Sequence, residues 1–372
     1  MLKRGMLLVL ALLMCMLVQA GTAEITIEEV RTQMGENTVV YPQLSGMENE
    51  AVQQKINDDI VTASGVTNHM VSLFTLTGQQ TLKVEYEAWL NDDVFSAVIS
   101  AKGRLPKARD GHAYTALSYD LQTGERVTLD QLFTDAEAAV ALMEQIADET
   151  LSEELNGYLE YSELTPLPVE SFTLNETGIT FWYPAEQFSL ISGYSGACQF
   201  WYEELEGMWQ KEMDAPRSNT EQKTAIEHSV SQGVLPGVPV SLGQNMQQIS
   251  EQYRLLRTPD EFPGGRYFLM EHPAFRSIPL ISDALTDSYE DSILEGIQLR
   301  RGGLHGLLIG KTTQSEWRTL LGEPESSLSM TQSMAFDYGL CEGSFDIYQF
   351  GGNELRLYAD LDGVLFAIQL CK

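Results

Sequence analysis

The stretch Thr81-Leu-Lys-Val-Glu-Tyr-Glu-Ala-Trp-Leu90, Asn91-Asp-Asp93, Val94-Phe-Ser-Ala-Val-Ile-Ser-Ala-Lys102 decides the fold class of the first half of the chain. Its two flanks are rich in β-branched and aromatic residues, and the polar run between them is a turn, so the three pieces read as strand, turn, strand. A third strand-like run covers residues 112–120 and ends at the turn Gln122-Thr-Gly124. Upstream, residues 25–30 and 38–41 read as two more strands. Val52, Ile56 and Ile60 then recur every four residues, which places them on one face of a helix. Downstream, a helix is expected over 135–155, with Val140, Met143, Ile146, Ala147 and Leu151 on its apolar face. Two short strands follow at 171–174 and 179–183, around the turn Asn175-Glu-Thr-Gly178. An antiparallel sheet with two inserted helices gives an α+β fold rather than a doubly wound one.

Farther along, Asp214-Ala-Pro-Arg-Ser-Asn-Thr220 has no apolar periodicity and reads as a linker. The expected organisation is therefore a leader at 1–23, an α+β domain at 24–213, a linker at 214–221 and a second α+β domain at 222–372. That second domain carries a weak internal repeat. Ser241-Leu-Gly243 leads into a helix bearing Ile249 and Tyr253, then Leu255-Leu256-Arg-Thr-Pro259. Leu308-Ile-Gly310 leads into one bearing Trp317 and Leu321, then Gly322-Glu-Pro324. One helix–hairpin unit cannot cover its own apolar face, whereas two in tandem can.

The leader is read from Lys3 and Arg4, the apolar run Met6 to Val18, and the small residues around Ala20 and Ala23. That is the pattern of a secretory signal peptide, with an uncleaved N-terminal anchor as the rival reading. No later segment approaches the length of apolar chain that spans a bilayer. The expected location is secreted or extracytoplasmic, in the cell envelope. Asp and Glu number 53 against 23 Lys and Arg, a net charge of −30 that becomes −32 when Lys3 and Arg4 leave. A surface this acidic repels phosphate backbones and anionic lipid headgroups, so nucleic-acid and polybasic membrane binding are excluded.

The chain has four cysteines, and export removes Cys15. Cys341 and Cys371 sit in late strand-like runs and form a candidate disulfide, with Cys198 as a buried thiol; three free thiols is the alternative. His69, His112, His228, His272 and His305 are too far apart in sequence for a local zinc site, so no metal and no cofactor is expected. Asp360-Leu-Asp362-Gly363 matches the start of a calcium loop but lacks the later ligands, and reads as a hairpin turn. Gly193-Tyr-Ser195-Gly-Ala197 falls one glycine short of a nucleophile elbow, and a strand rather than a helix follows it. No catalytic residue is assigned. A thiol–imidazole pair of Cys198 with His112 would need the fold to bring them together.

The run Tyr41-Pro-Gln-Leu-Ser-Gly46 with Lys55-Ile-Asn57 resembles the start of a Gram-positive extracytoplasmic domain. That domain is shared by the lysozyme-sensing anti-sigma factor RsiV and the N-terminal part of the peptidoglycan deacetylase PdaC. Asp110-Gly-His112, Ser118-Tyr-Asp120-Leu-Gln-Thr-Gly124 and Leu129-Asp-Gln-Leu-Phe133 resemble its most recognisable stretch, with Asp110 in place of a family glycine. Gly178-Ile-Thr-Phe181, Tyr183-Pro184 and residues 194–205 resemble its closing segment. The second domain is similar to another uncharacterised secreted domain and, through Gly243, Gly310 and Pro324, to β-lactamase-inhibitor-like binding repeats.

The resemblance implies a module without catalysis of its own that binds a protein, with basic lysozyme-like proteins among the candidates, or a cell-wall glycan. The oligomeric state stays open. His112, Tyr183, Tyr194, Trp201 and Tyr202 are the candidate binding residues, since aromatics anchor proteins and sugars, although strand alternation sends about half of them to the core. The alternatives are a secreted hydrolase using Ser195 or Cys198, an accessory factor of peptidoglycan modification, or a structural component of the exported proteome.

Overall fold

A computed structural model describes residues 25–34, 37–64, 82–91, 93–104, 110–154, 166–183, 197–210, 218–253, 255–262, 265–272, 275–283, 291–337 and 340–372. The leader at 1–23, Tyr194, Ser195 and residues 214–217 of the expected linker lie outside the described residues; from Ser218 on, the expected linker instead caps and begins a helix. The fold is mixed α+β. Backbone proximity divides the chain into two compact units, one of Met1–Ala88 with Asp92–Arg126, the other of Val127–Lys372 with Trp89–Asn91.

The first unit is built on a sheet in the order β1-β2-β3-β4-β5: β1 (Thr26–Met34), β2 (Asn37–Ser45), β3 (Leu82–Asn91), β4 (Val94–Arg104) and β5 (Asp110–Asp120). Helix α1 (Glu50–Ala63) falls between β2 and β3 in the chain. β1–β2 and β4–β5 pair antiparallel, but β2 and β3 pair parallel through Thr38↔Lys83 and Val39↔Val84. Alternation in a single strand does not report direction. Parallel neighbours need a long crossover, and α1 is that crossover. Asn49 caps α1 by accepting from the Val52 amide at 3.3 Å. Val52, Ile56 and Ile60 are buried with Val39, Phe95, Ile99 and Leu117 in one core cluster. Asn57 ties the helix to β2: its side chain accepts from the Leu44 amide at 2.8 Å and donates to the Leu44 carbonyl at 2.9 Å. Both halves of a buried amide are thereby satisfied, which removes the desolvation cost of placing it there.

The second unit begins with α2 (Leu129–Leu132) and α3 (Ala136–Glu154), followed by a small antiparallel sheet of β6 (Phe172–Leu174), β7 (Gly178–Trp182) and β8 (Ala197–Trp201). The turn expected at Asn175–Gly178 is present. Asn175 Oδ1 accepts from the amides of Thr177 and Gly178, both at 2.9 Å. Next come α4 (Asn219–Gln232) and α5 (Met246–Gln252), and then an eight-stranded sheet. Its members are β9 (Leu255–Phe262), β10 (Gly265–His272), β11 (Phe275–Ser282), β12 (Leu294–Leu299), β15 (Ser326–Met330), β16 (Gly343–Phe350), β17 (Asn353–Ala359) and β18 (Leu365–Cys371). A hairpin of β13 (Gly303–Leu304) and β14 (Leu307–Leu308), helix α6 (Gln314–Leu321) and helix α7 (Gln332–Asp337) complete the unit.

The order β15-β16-β17-β18-β12-β11-β10-β9 is two four-stranded meanders joined at their last strands. Each is preceded by its own helix, α5 or α6, so the repeat is a helix followed by a meander, one hairpin longer than the sequence implied. Three backbone bonds recur. Gly243 and Gly310 amides donate to the carbonyls of Leu294 and Leu365, each at 2.8 Å. The Leu294 and Leu365 amides donate back to Gln244 and Thr312, and Met246 and Gln314 donate to Ser292 and Gly363. The same bulge recurs as well, between Ile281 and Ser282 in one copy and Tyr358 and Ala359 in the other. Ile249 and Trp317 occupy the same helical position and are both buried in the large core with Leu294, Ile297, Leu365 and Ile368.

Candidate functional site

The aromatic residues chosen from sequence are inside the protein. Tyr183 is 1% exposed, Trp201 4% and Tyr202 8%. Strand alternation leaves half of such residues on the surface only where one sheet face meets solvent, and every residue of β7 and β8 is buried. Tyr202 donates from its hydroxyl to the Asn175 carbonyl at 2.9 Å and meets the Trp209 ring edge-on at 5.2 Å. The Trp201 ring lies so close to Gly302 that a Cβ there would stand 2.2 Å from it. The Arg301 guanidinium sits over Trp201 at 5.2 Å and over Phe200 at 5.6 Å, and pairs with Glu204 at 3.7 Å. These side chains bind the small sheet to the β13–β14 segment. His112 lies on β5 opposite Lys102, in the first unit, and its side chain is outside the described residues.

The candidate disulfide is not formed: Cys341 and Cys371 are not bonded to one another. Cys371 pairs with Glu354 at one end of β17. Cys341 lies two residues before Gly343, which packs against Ala359 at the other end. Five residues of strand separate those ends, about 17 Å, whereas a disulfide needs Cα atoms within about 7 Å. Burial pushes the Cys371 thiol up to about 11. Cys198 is buried within β8, which keeps its thiol from solvent.

Two polar constellations in the second unit escaped sequence reasoning. Asp346 on β16 is fully buried and accepts from Trp317 Nε1 at 2.9 Å, Arg318 Nε at 2.7 Å, Arg318 Nη2 at 2.7 Å and Gln314 Nε2 at 3.3 Å. Burial alone would push its carboxyl up, but the bonds from Arg318, Trp317 and Ser327 outweigh it and hold the group below the usual carboxylate range. The bond to Asp346 in turn pushes the Arg318 guanidinium up, so both partners stay charged. A carboxylate so fully occupied has no lone pair left for a substrate; it fastens α6 to the sheet. In the other constellation, Ser229 Oγ on α4 and His305 Nε2 are 2.7 Å apart. His305 has φ of 47° in the two-residue His305-Gly306 turn of the β13–β14 hairpin, a backbone that disfavours ordinary side chains. Ser229 is 8% exposed in mid-helix, so the pair staples the hairpin to α4 rather than presenting a nucleophile.

The surface feature of most consequence is one end of the large sheet. β15 is an edge strand, hydrogen-bonded to β16 alone. Ser327, Leu328 and Ser329 are exposed, and Leu328, Met334 and Leu361 are 48%, 42% and 76% exposed. Glu323 and Glu325 precede β15 at the end paired with Ile347, whereas Glu342 before β16 and Asp360 and Asp362 in the β17–β18 turn lie toward the opposite end, where Met330 pairs with Gly343. That turn is the expected hairpin, with Asp360 Oδ1 accepting from the amides of Asp362 and Val364 at 2.9 Å. Arg318, which donates to the Ser327 hydroxyl on β15 at 3.1 Å, is engaged by Asp346. Among the described residues no group of three or more His, Cys, Asp or Glu is placed to hold a metal ion, and no helix is long and apolar enough to cross a membrane.

No family model matches the chain, and no curated protein matches it. Solved structures do. The chain is similar to proteins of the DUF3298 and DUF4309 families. A DUF3298 protein of Bacteroides fragilis is 15% identical, with TM-score 0.34, over 52% of this chain and 95% of its own. A DUF3298 protein of Pseudomonas aeruginosa is 12% identical, with TM-score 0.35, over 52% of this chain and 98% of its own. A DUF4309 protein of Bacillus subtilis is 14% identical, with TM-score 0.30, over 41% of this chain and 95% of its own. All three are domains of unknown function.

Proposed function

We propose that this protein is an exported, non-catalytic binding protein of the cell envelope whose ligand is a protein, with basic lysozyme-like proteins the leading class, or else a cell-wall glycan. The observation that carries the reading is charge. An excess of 30 acidic groups attracts a cationic partner over distances near the Debye length and raises its association rate. The leader pattern at 1–23 puts the chain where such partners are met, and the resemblance to the RsiV and PdaC domains supports the same partner class. Because Tyr183, Trp201 and Tyr202 are in the core, the binding surface on this reading is polar and acidic rather than aromatic.

The test is retention of lysozymes and of purified peptidoglycan by the immobilised chain without residues 1–23 at low salt. Retention of a lysozyme that fades as salt rises is the expected result. Retention of neither ligand contradicts the proposal.

A further inference from the structure

We propose that the outer edge of β15 accepts an extended, basic segment of a partner protein as a ninth strand of the large sheet. The two edges of that sheet are occupied by equivalent strands of the two copies, β9 and β15, and they differ in how they are protected. β9 reads Leu-Leu-Arg-Thr-Pro-Asp-Glu-Phe, and Pro259 has no backbone N–H to offer. Proline and charge are what natural sheets use to blunt an edge. β15 reads Ser-Ser-Leu-Ser-Met, with neither. Among the described residues no strand pairs with its outer side, so its outward amides and carbonyls are available for the main-chain bonds of strand addition.

The side chains then select the occupant. Leu328, midway along β15, supplies an exposed apolar contact, and Met334 and Leu361, also exposed, lie beyond its Met330 end. Glu323 and Glu325 at the Ser326 end, and Glu342, Asp360 and Asp362 toward the Met330 end, put negative charge at both ends of the strand. A second copy of this chain would bring an identical acidic rim and a charge of −30 against it, so strand exchange between copies is opposed. An extended segment alternating apolar and basic residues meets both requirements. The inference rests on the proposed function only for the sign of the partner's charge.

The test uses the chain without residues 1–23 and a labelled peptide of alternating lysine and valine, compared with the same peptide N-methylated at every second amide. N-methylation keeps the charge and removes the donors that a new strand needs. The unmodified peptide is expected to bind about tenfold or more tightly than the methylated one, and to slow amide hydrogen exchange at residues 326–330. Leu328→Lys, at an exposed position that does not threaten folding, is expected to weaken binding about tenfold, and Glu325→Lys with Glu342→Lys to weaken it further. Equal binding of both peptides, or protection appearing elsewhere with 326–330 unchanged, overturns the inference. A lysozyme retained equally by the parent and by Leu328→Lys overturns it while leaving the proposed function standing. Protection of 326–330 by the peptide, with no basic protein retained, upholds the edge and defeats the proposed function.

Discussion

The two copies in the large sheet have the same backbone and different chemistry at equivalent positions. Asp346, facing Ser327 on the neighbouring edge strand, corresponds to Phe268 facing Arg257 in the first copy. Trp317 and Arg318 correspond to Ile249 and Ser250. At the seam, Gln369 and Gln298 are equivalent and lie directly opposite one another. Gln369 accepts from the Tyr358 hydroxyl, whereas both amide atoms of Gln298 are buried without a hydrogen-bond partner among the described residues. The three backbone bonds that each helix makes to its last strand are kept in both copies. The repeat is therefore carried by main-chain geometry, and each copy fills its interior in its own way, one with apolar packing and one with a charged lock.

The largest effect expected from this difference is at Asp346. Asp346→Ala leaves Trp317 Nε1 and the half-buried Arg318 without their acceptor, and should cost about 3 kcal/mol by equilibrium unfolding. Replacing Asp346 by Leu together with Arg318 by Ser, which imitates the apolar first copy, should cost less than Asp346→Ala alone. If the single and double variants lose equally, the lock is not what distinguishes the copies.

The lock also sets a pH dependence. The folded-state carboxyl of Asp346 lies below its ordinary range, so its contribution is complete above about pH 4 and is lost as the pH falls through the folded value. The difference in melting temperature between the parent protein and Asp346→Asn should accordingly narrow below about pH 4. A difference that stays constant down to pH 2 would contradict the assignment.

Smaller effects are expected at the seam. Gln369→Leu removes the acceptor of the Tyr358 hydroxyl, leaving it only its bond with Arg356, and should destabilise by about 1 kcal/mol, whereas Gln298→Leu removes an amide without a partner among the described residues and should be neutral or stabilising by about 1 kcal/mol. Equal losses in the two variants would show that the copies treat their glutamines alike. The smallest effect concerns the thiols. Cys371 is protonated well above neutral pH, so iodoacetamide at pH 8 should modify it slowly, and mass spectrometry should find no bond between Cys341 and Cys371.

The same comparison shows what the sequence could and could not reveal. Alternation with turn residues placed β3, β4 and β5, and the spacing of Val52, Ile56 and Ile60 placed α1, because those periods are local. Gly243 and Gly310 mark the start of each repeat but not its last hairpin. Its clearest signature, Leu294-Glu-Gly-Ile-Gln-Leu299 against Leu365-Phe-Ala-Ile-Gln-Leu370, is out of step with the helices because the intervening loops are unequal. The burial of Tyr183, Trp201 and Tyr202 was not legible, since alternation cannot tell a strand covered on one face from one covered on both. Nor was the pairing of Arg318 with Asp346, which depends on how α6 lies across two strands. The parallel pairing of β2 with β3 had no local signal at all. Net charge required no structure, and it carries most of the functional argument.

The most direct measurement is the affinity of a basic lysozyme for the chain without residues 1–23 as a function of ionic strength. The account predicts measurable binding at low salt that weakens steadily as salt screens the acidic surface, together with a marked loss in Leu328→Lys at every salt concentration. Absence of binding at any ionic strength, or binding indifferent to salt, would contradict it.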